Sequence, residues 1–598
     1  MTPERAARAF WLLVAAHLVV WTVARVLAEP NAPLDVVEMA YLGHEWQLGY
    51  ANHPPLAAWV TEAALVLAGG SVWAVHLVAQ LAMVTCLWAA WRLGREMVTP
   101  GAALLGAALL ECCLYYHFTT TEVNNNVALA PFWALAVLFF YRALDTGAAR
   151  YWLATGASIG VGFLAKYSMA VLVVVMVGFM LAHPIARGRW SMSGASLAVI
   201  AALVVVAPHL IWAVQQHFPG VRWALERTQA GEDPGSRLVN VLIFARDQLP
   251  ALLPMLAVLL PLTGVRWRLR PLDSAGRFKR AFLLAMGLGP FAAQAALALV
   301  LDLRLRSMYG SQLWTFTGVL LLFSLALRPE PLRWRAAAAG CAAVGVLMIA
   351  AAVFYDAAWP YVRGKPMSVH FPGREAAAQI DAIWRAREDR PLTIVGGEWW
   401  LAANVALYHR PRLRVYGGGP YAGHAIPSAE DNPWTSDGAL ARDGGILLWN
   451  PERQEPGIAA ILCRRFPTLE LLDPLVLHWQ TGAPVPPLRI AMAIVPPGSD
   501  APASRPHSAT AAPCTEVFRR QRSEAVSPQS PSGRPASPSA HARLAPALRT
   551  RWGALSSPIG FPEGIPGAAR GVAMSYDRWP RSVHCTAGPG RCRSNLQP

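Results

Sequence analysis

Acidic and histidine side chains cluster in one short stretch of the chain, residues 34–60, which follows the first apolar run. The stretch reads LDVVEMAYLGHEWQLGYANHPPLAAWV and contains Asp35, Glu38 and His53. Asp35 and Glu38 are three positions apart, so they would share one face of a helix. Ionisable groups at a membrane boundary are costly to desolvate and tend to mark function. Carboxylates placed in this way can accept a proton from a substrate hydroxyl.

A second polar segment, HFTTTEVNNNVALAPFW, separates two later apolar runs and carries Glu122 and Asn124. Span counting places it at the same membrane face as the first segment. A single acid in such a loop could equally be a solvated surface residue. Two short loops that each present an acid beside His or Asn favour a shared polar site.

The cations of the chain add a third component. The chain has 49 Arg but only three Lys, and Lys166 lies inside an apolar hairpin. Such a Lys is either a snorkelling anchor or a compact cation for a phosphate. Arg304 and Arg306, in the loop LDLRLRSMYGSQLW, could bind the same anion. Acids that serve as a base, together with cations for a phosphate, indicate chemistry on a lipid phosphate.

The two polar segments resemble a known family. The pattern Asp-x-x-Glu, followed by GYxxHPPLxAW, is similar to bacterial GT-C glycosyltransferases of the family that includes protein mannosyltransferases and lipid A aminoarabinose transferases. Both segments look most like its lipopolysaccharide galacturonosyltransferase branch, and GFLAKYSMAVL looks like its hairpin between the fifth and sixth spans. The resemblance covers about residues 10–355 and continues more weakly to about residue 500.

The resemblance implies catalytic roles for the acids. Asp35 matches the first-loop acid, which is the implied catalytic base, and Glu122 matches the acid of the second loop. Many members have Glu directly after the first acid, whereas this chain has Val36 there and its second acid at Glu38. Glu38 and Glu122 are therefore the alternative bases.

The implied reaction is inverting transfer of one sugar from a polyprenyl-phosphate-sugar donor to a lipid or glycan acceptor such as lipopolysaccharide. Asp35 would remove the proton of the acceptor hydroxyl. Lys166, which matches a Lys of the family's hairpin, would stabilise the departing lipid phosphate together with Arg304 or Arg306.

Substrate and metal binding are assigned to further polar residues. His53 matches the His of the family's HPPL motif, and it is a candidate substrate-binding residue together with Asn124. Some family members bind a divalent metal ion, for which Asp35, Glu122 and a His are the candidate ligands. The chain has no GxGxxG or GxxxxGK[ST] motif, which agrees with a donor that carries no nucleotide.

Apolar runs predict a polytopic membrane protein, because 54% of residues are apolar and only 15% are charged. Most of nine nearly charge-free runs approach or exceed the roughly 20 residues that cross a bilayer as a helix. The runs are residues 9–28, 72–92, 101–117, 126–142, 194–214, 240–263, 281–301, 312–328 and 335–355.

Two further segments decide the predicted number of spans, which is eleven. Residues 150–183 would form a helix about 50 Å long, which exceeds a bilayer core of about 30 Å. We therefore predict a hairpin that turns at Lys166–Ser168. Residues 56–69 contain Glu62 and are too short to span, so we expect an interfacial or re-entrant helix there.

The distribution of cations predicts the orientation. With a cytoplasmic N-terminus, the inside loops hold 17 Lys and Arg residues and the outside loops hold 8. The two polar segments then face the periplasm of a bacterial inner membrane. The net charge of +16 does not indicate nucleic-acid binding, since +9 of it lies in residues 501–598 and much of the rest in short loops.

The predicted fold is an α-helical GT-C membrane protein of about 11 spans with a smaller α/β extracytoplasmic domain and a disordered tail. We assign residues 1–355 to the membrane module, residues 356–500 to the α/β domain and residues 501–598 to a Pro-, Ser- and Arg-rich tail that lacks a packable core. Strands are predicted at residues 391–397, 412–419, 444–450 and 487–497, and helices at residues 373–388 and 398–410.

Two other functions fit a polytopic chain. A transporter also carries intramembrane acids, but it usually shows internal repeats, which this sequence lacks. A flippase or ligase for lipid-linked glycans would share the many spans and the outer loops. Transfer of one sugar from a purified lipid donor distinguishes the glycosyltransferase from both.

Overall fold

The computed structural model describes residues 1–228, 234–265, 267–417, 434–452 and 458–498. Helices dominate its first 363 residues. They are α1 (Pro3–Ala28), α2 (Leu34–His44), α3 (Leu56–Leu67), α4 (Trp73–Gly94), α5 (Pro100–Ala108), α6 (Asn125–Thr146), α7 (Ala149–Ala165), α8 (Met169–Ala182), α9 (Pro184–Arg189), α10 (Met192–Gln215), α11 (Pro219–Thr228), α12 (Pro234–Thr263), α13 (Ser274–Leu301), α14 (Thr317–Ser324) and α15 (Pro331–Arg363).

Seven of the described helices, α1, α4, α6, α10, α12, α13 and α15, are long and apolar enough to cross a membrane. The other four predicted spans are occupied by the shorter helices α5, α7, α8 and α14. The predicted hairpin is present, because α7 ends at Ala165 and α8 begins at Met169. The predicted short helix is present as α3. The chain is a polytopic helical membrane protein, as its apolar runs predicted.

The run at residues 101–117 is a broken helix. Helix α5 ends at Ala108, and the chain continues as two 3-10 helices, Leu109–Cys112 and Leu114–Tyr116. Glu111 lies in the first of them, and its carboxylate is 2.8 Å from Nδ1 of His17 on α1. The end of this run leads directly into the second polar segment and brings that segment beside α1.

A mixed α/β domain follows the membrane helices. Its elements are α16 (Gly373–Arg385), β1 (Ile394–Gly397), α17 (Trp399–Tyr408), β2 (Arg414–Tyr416), α18 (Asp437–Asp443), β3 (Gly445–Trp449), α19 (Ile458–Arg465), β4 (Glu470–Leu477) and β5 (Leu488–Val495). The sheet order is β2-β1-β3-β5-β4. Strand β1 pairs in parallel with β2 and β3, whereas β5 pairs antiparallel with β3 and β4.

The four predicted strands and two predicted helices of this domain are present as β1, β2, β3, β5, α16 and α17. Strand β4 was not predicted, because it contains Pro474 and its pairing register shifts between Leu472 and Leu475. Helices α18 and α19 were also missed. Because side chains alternate across a strand, α16 and α17 pack on one face of the sheet, and α18 and α19 pack on the other.

The domain division itself stays a prediction, although α15 continues past residue 355 to Arg363. The prediction of a disordered tail at residues 501–598 lies outside the described residues.

Helix α2 packs between α3 of the membrane module and α17 of the α/β domain. This arrangement matters for the site, because α2 carries Asp35 and Glu38.

Candidate active site

A cavity of about 400 Å³ lies where α2, the segment before α6 and the α7–α8 turn meet. It brings together six of the eight residues that the sequence nominated. They are Asp35, Glu38, His53, Glu122, Asn124 and Lys166. The two polar segments thus form one site, although their acids are almost ninety residues apart in the chain.

Asp35 lies in the first turn of α2, where the helix dipole stabilises a negative charge. Its Oδ2 accepts a hydrogen bond of 3.0 Å from Nδ2 of Asn124. Burial raises the pKa of Asp35 to about 6, and the nearby charge of Glu38 acts in the same direction, while the Asn124 hydrogen bond opposes them. A carboxylate with this pKa is mostly ionised at pH 7 and remains a competent proton acceptor.

Asn124 orients the carboxylate of Asp35 because it also caps α6. Its Oδ1 accepts hydrogen bonds of 3.0 Å from the backbone N–H groups of Asn126 and Val127. This capping use of the amide oxygen turns the Nδ2 group toward Asp35. The sequence suggested a substrate-binding role for Asn124, whereas its present contacts are with the candidate base and with the start of α6.

Glu38 is held by the loop between α2 and α3. Its Oε1 accepts a hydrogen bond of 2.9 Å from Nδ2 of Asn52 and lies 3.3 Å from Nε2 of His53. The imidazole of His53 also packs edge-to-face on Trp223, with ring centroids 5.4 Å apart. The GYANHPP loop therefore supports the second acid of the site, and its prolines shape the turn before α3.

Glu122 is the third acid of the site and comes from the second polar segment. Burial, followed by the charges of Asp35 and Glu29, raises the pKa of Glu122 well above its usual value. Its Oε2 has no hydrogen-bond partner within the part of the chain that the structure describes. This environment favours the neutral form of the Glu122 carboxyl group, which can donate a hydrogen bond into the cavity.

Arg25 is a residue of this site that the sequence analysis counted only as a loop cation. Its guanidinium contacts Asp356 at 2.6 Å, Glu29 at 2.8 Å and Thr121 at 3.1 Å. The bond to Thr121 fixes the loop directly before Glu122. The available signal was a cation near the end of an apolar run, which is rare without a partner in the protein.

Lys166 enters the cavity from the α7–α8 turn. Its Nζ donates a hydrogen bond of 2.6 Å to Oδ1 of Asn126 and lies 4.5 Å from the centre of the Tyr309 ring. Among the residues that the structure describes, no carboxylate forms an ion pair with this ammonium, so its charge is available to a substrate anion. A cation removed from bulk water in this way suits a phosphate group bound in the cavity better than a lipid headgroup at the membrane surface.

Arg304 and Arg306 are exposed and do not line the cavity. Their neighbours in the same loop, Leu305 and Tyr309, do line it. The structure therefore brings the loop to the site without the two guanidinium groups, and their phosphate-binding role stays a prediction.

The remaining wall of the cavity is largely apolar. It is formed at α8, α13 and the loop after α13 by Val171, Leu297, Leu303, Leu305 and Met308. A polar end with acids and an amine, joined to an apolar wall, matches an amphiphilic ligand whose charged group and hydrocarbon chain bind side by side.

Metal ligation by Asp35, Glu122 and a His was the remaining expectation from the sequence. Among the residues that the structure describes, no group of three His, Cys, Asp or Glu side chains is placed to hold a metal ion. The residues present therefore do not fit a metal centre, and we assign no chemical step to one.

Comparison with known proteins gives matches in sequence. Residues 52–212 match the family described as dolichyl-phosphate-mannose-protein mannosyltransferase. The lipopolysaccharide core galacturonosyltransferase RgtA of Rhizobium johnstonii is 27% identical over 217 residues, 35% of this chain and 43% of RgtA. The undecaprenyl phosphate-alpha-4-amino-4-deoxy-L-arabinose arabinosyl transferase of Pseudomonas aeruginosa is 27% identical over 196 residues, 31% of this chain and 35% of that protein. This chain thus spans less than half of the length of the curated relatives that it matches.

Comparison with solved structures gives the fold. The crystal structure of ArnT from Cupriavidus metallidurans bound to undecaprenyl phosphate is similar with a TM-score of 0.52 and 16% sequence identity. The similarity covers 81% of this chain and 97% of that chain. The chain therefore has the GT-C fold, and across residues 52–212 it resembles the mannosyltransferase family in sequence, which confirms the resemblance predicted from its polar segments.

Proposed function

We propose that this protein transfers a single sugar from a polyprenyl-phosphate-sugar donor to an extracytoplasmic acceptor such as lipopolysaccharide, lipid A or another envelope glycan. The observation that carries the proposal is the cavity in which Asp35, a half-buried base, faces the same space as Lys166, a half-buried amine, beside a largely apolar wall. The similar proteins include galacturonosyl and arabinosyl transferases, which supports the same chemistry.

In the reaction, the oxygen of an acceptor hydroxyl attacks the anomeric carbon of the donor sugar. The new glycosidic bond forms as the bond from that carbon to the phosphate oxygen breaks, so the configuration inverts. Asp35 takes the hydroxyl proton. The polyprenyl phosphate leaves with the electron pair, and Lys166 stabilises the negative charge that develops on it.

Asn124 and Glu38 assist without taking part in bond making. Asn124 holds one oxygen of Asp35, which leaves the other oxygen to receive the proton. Glu38 keeps a negative charge near Asp35 and thereby raises its proton affinity. Glu122, which lines the cavity and whose neutral form is favoured by burial, supplies a hydrogen bond to a sugar hydroxyl.

Substitution of Glu122 tests this protonation state. Because burial raises the pKa of Glu122 and so favours its neutral form, Glu122→Gln should keep turnover within about fivefold of the parent, whereas removal of the polar group in Glu122→Leu should lower it by about 10²-fold. Both variants are assayed for sugar transfer at matched expression. A loss in Glu122→Gln as large as that in Glu122→Leu would mean that an ionised Glu122 is needed.

The orientation of the site is part of the proposal, with the cavity on the periplasmic side of a bacterial inner membrane. Single Cys substitutions at the exposed residues Ala51 and Ala386 should react with a membrane-impermeant thiol reagent in intact spheroplasts, above the signal of the parent chain. Ala275→Cys, at the opposite end of the helices, should react only after lysis. Labelling of Ala275→Cys in intact spheroplasts would show that the chain has the opposite orientation in the membrane.

A mass comparison of lipopolysaccharide from cells with and without the gene tests the proposed function in the cell. The expected result is one extra hexuronate, pentosamine or hexose unit in cells that carry the gene. The alternative function, a transporter or flippase of lipid-linked glycans, would change the amount of a complete glycan and would not add one sugar.

A further inference from the structure

Helix α2, which carries Asp35 as its second residue, is contacted at both ends by the α/β domain. The sequence assigned no task to that domain beyond its fold. Its helix α17 packs along α2, and polar contacts from α17 and from the segment after it reach the two ends of α2.

The contacts at the N-terminal end involve the two residues that lead into α2. Nδ2 of Asn31 donates a hydrogen bond of 3.0 Å to Oδ1 of Asn404, and the backbone N–H of Ala32 donates one of 2.8 Å to the hydroxyl of Tyr408. Both asparagines are buried. These bonds fix the chain three residues before Asp35.

The contacts at the C-terminal end converge on Arg412, which lies two residues before β2. Its Nη1 pairs with Oε2 of Glu62 on α3, and its Nη2 donates a hydrogen bond of 2.8 Å to the backbone oxygen of Ala40 on α2. Glu62 also contacts His44 at the end of α2, with 3.3 Å between Oε1 and Nδ1. One guanidinium therefore joins the α/β domain to both helices of the first polar segment.

The pair of Glu62 and Arg412 is held by close packing of α2 on α3. Gly43 faces α3 so closely that a Cβ at this position would collide with the backbone oxygen of Ala58 and lie 2.8 Å from the Cβ of Glu62. The side chain of Glu62 is 3% exposed and that of Arg412 is 11% exposed. Removal of one partner of such a buried pair is strongly destabilising, because it leaves an unpaired buried charge.

We propose that the α/β domain serves as the support that fixes the catalytic helix, with Tyr408 and Arg412 as positioning residues for Asp35. The inference rests on the proposed function, in which Asp35 is the base. The two residues do not line the cavity, so they act through the placement of α2 and not through contact with substrate. A misplacement of a catalytic group by about 1 Å can lower the rate by about 10²-fold.

A loosened α2 should also change the titration of Asp35. The charged or titratable groups that face Asp35 are Glu38 on the same helix, His53 in the following loop and Glu122 in the segment before α6. Burial is the largest cause of the raised pKa. Water that enters beside a displaced α2 should lower the pKa of Asp35 toward its ordinary value.

The test compares Tyr408→Phe, Arg412→Met and Arg412→Lys with the control Arg442→Met, in the full-length protein with donor and acceptor. Arg442 pairs with Asp443 at an exposed position of the same domain. Tyr408→Phe removes one hydroxyl, so it keeps the test valid if Arg412→Met does not fold. Turnover, the KM for the donor, the pH dependence of kcat/KM and the melting temperature are measured.

We expect Tyr408→Phe and Arg412→Met to lower kcat by about 10-fold or more at an unchanged donor KM, and to move the acidic limb of the pH profile down by about one pH unit. Arg412→Lys should recover part of kcat, since Lys makes one of the two contacts. The inference would be overturned if Tyr408→Phe and Arg412→Met lowered only the melting temperature, while their kcat and pH profile stayed equal to those of Arg442→Met. If Asp35→Asn is itself active, the assignment of the base fails instead.

Discussion

Asp35→Asn is expected to lower turnover by about 10²–10⁴-fold while the affinity for the lipid donor changes little. The substitution keeps the shape of the side chain and its hydrogen bond with Asn124 but removes the proton acceptor. Transfer is measured with a polyprenyl-phosphate sugar in detergent, with expression matched by immunoblot. Asp389→Asn, at an exposed position of the α/β domain, is the matched control.

The pH profile adds an independent check on the same residue. Because the base must be ionised and the pKa of Asp35 is raised to about 6, kcat/KM of the parent should rise with pH through about pH 6 and be lost below it. The residual activity of Asp35→Asn should lack this limb. Near-parental turnover in Asp35→Asn would refute the assignment and move the base to Glu38 or Glu122.

Lys166→Ala is expected to weaken both donor binding and turnover. The amine faces the cavity at its hydrogen bond with Asn126, where it would meet the phosphate in the ground state and also the charge that develops on departure. Loss of one such stabilising group typically lowers kcat by about 10²–10³-fold. The KM for the donor should rise in parallel, which separates this variant from Asp35→Asn.

Lys166→Arg and Lys365→Ala complete this test. Arg keeps the positive charge but presents a planar fork in place of a compact ammonium, so it should restore activity only partly. Lys365 is exposed, and Lys365→Ala should be indistinguishable from the parent. A Lys166→Ala variant with unchanged donor KM would identify Lys166 as an interfacial anchor and not a phosphate ligand.

Much of the fold could be predicted because the signals are local. Apolar runs mark the membrane helices, and the length of residues 150–183 alone required the turn at Lys166. The same reasoning overestimated the helix at residues 101–117. Two contacts at these residues join segments that are distant in the sequence, so local patterns could not reveal them. They are the ion pair between Glu111 and His17 and the crossing of α5 with α14 at Gly106 and Gly318.

The site was predictable to the extent that its residues differ in type from their surroundings. Acids and a rare Lys among apolar residues were visible in the sequence, and they meet in one cavity. Arg25 was missed because its partner Asp356 is 331 residues away. The link from Arg412 to Glu62, 350 residues apart, was equally invisible, since Glu62 stands out in its apolar segment but nothing local indicates its partner.

The most direct measurement is the transfer reaction itself. Purified protein is given polyprenyl-phosphate donors that carry an isotopically labelled hexuronate, pentosamine or hexose, with lipopolysaccharide as acceptor, and products are identified by mass spectrometry. The account predicts that one donor yields one glycosylated acceptor and one polyprenyl phosphate, with inverted anomeric configuration, and that Asp35→Asn abolishes it. Absence of transfer from every donor, combined with movement of intact lipid-linked glycan across vesicles containing the protein, would contradict the account.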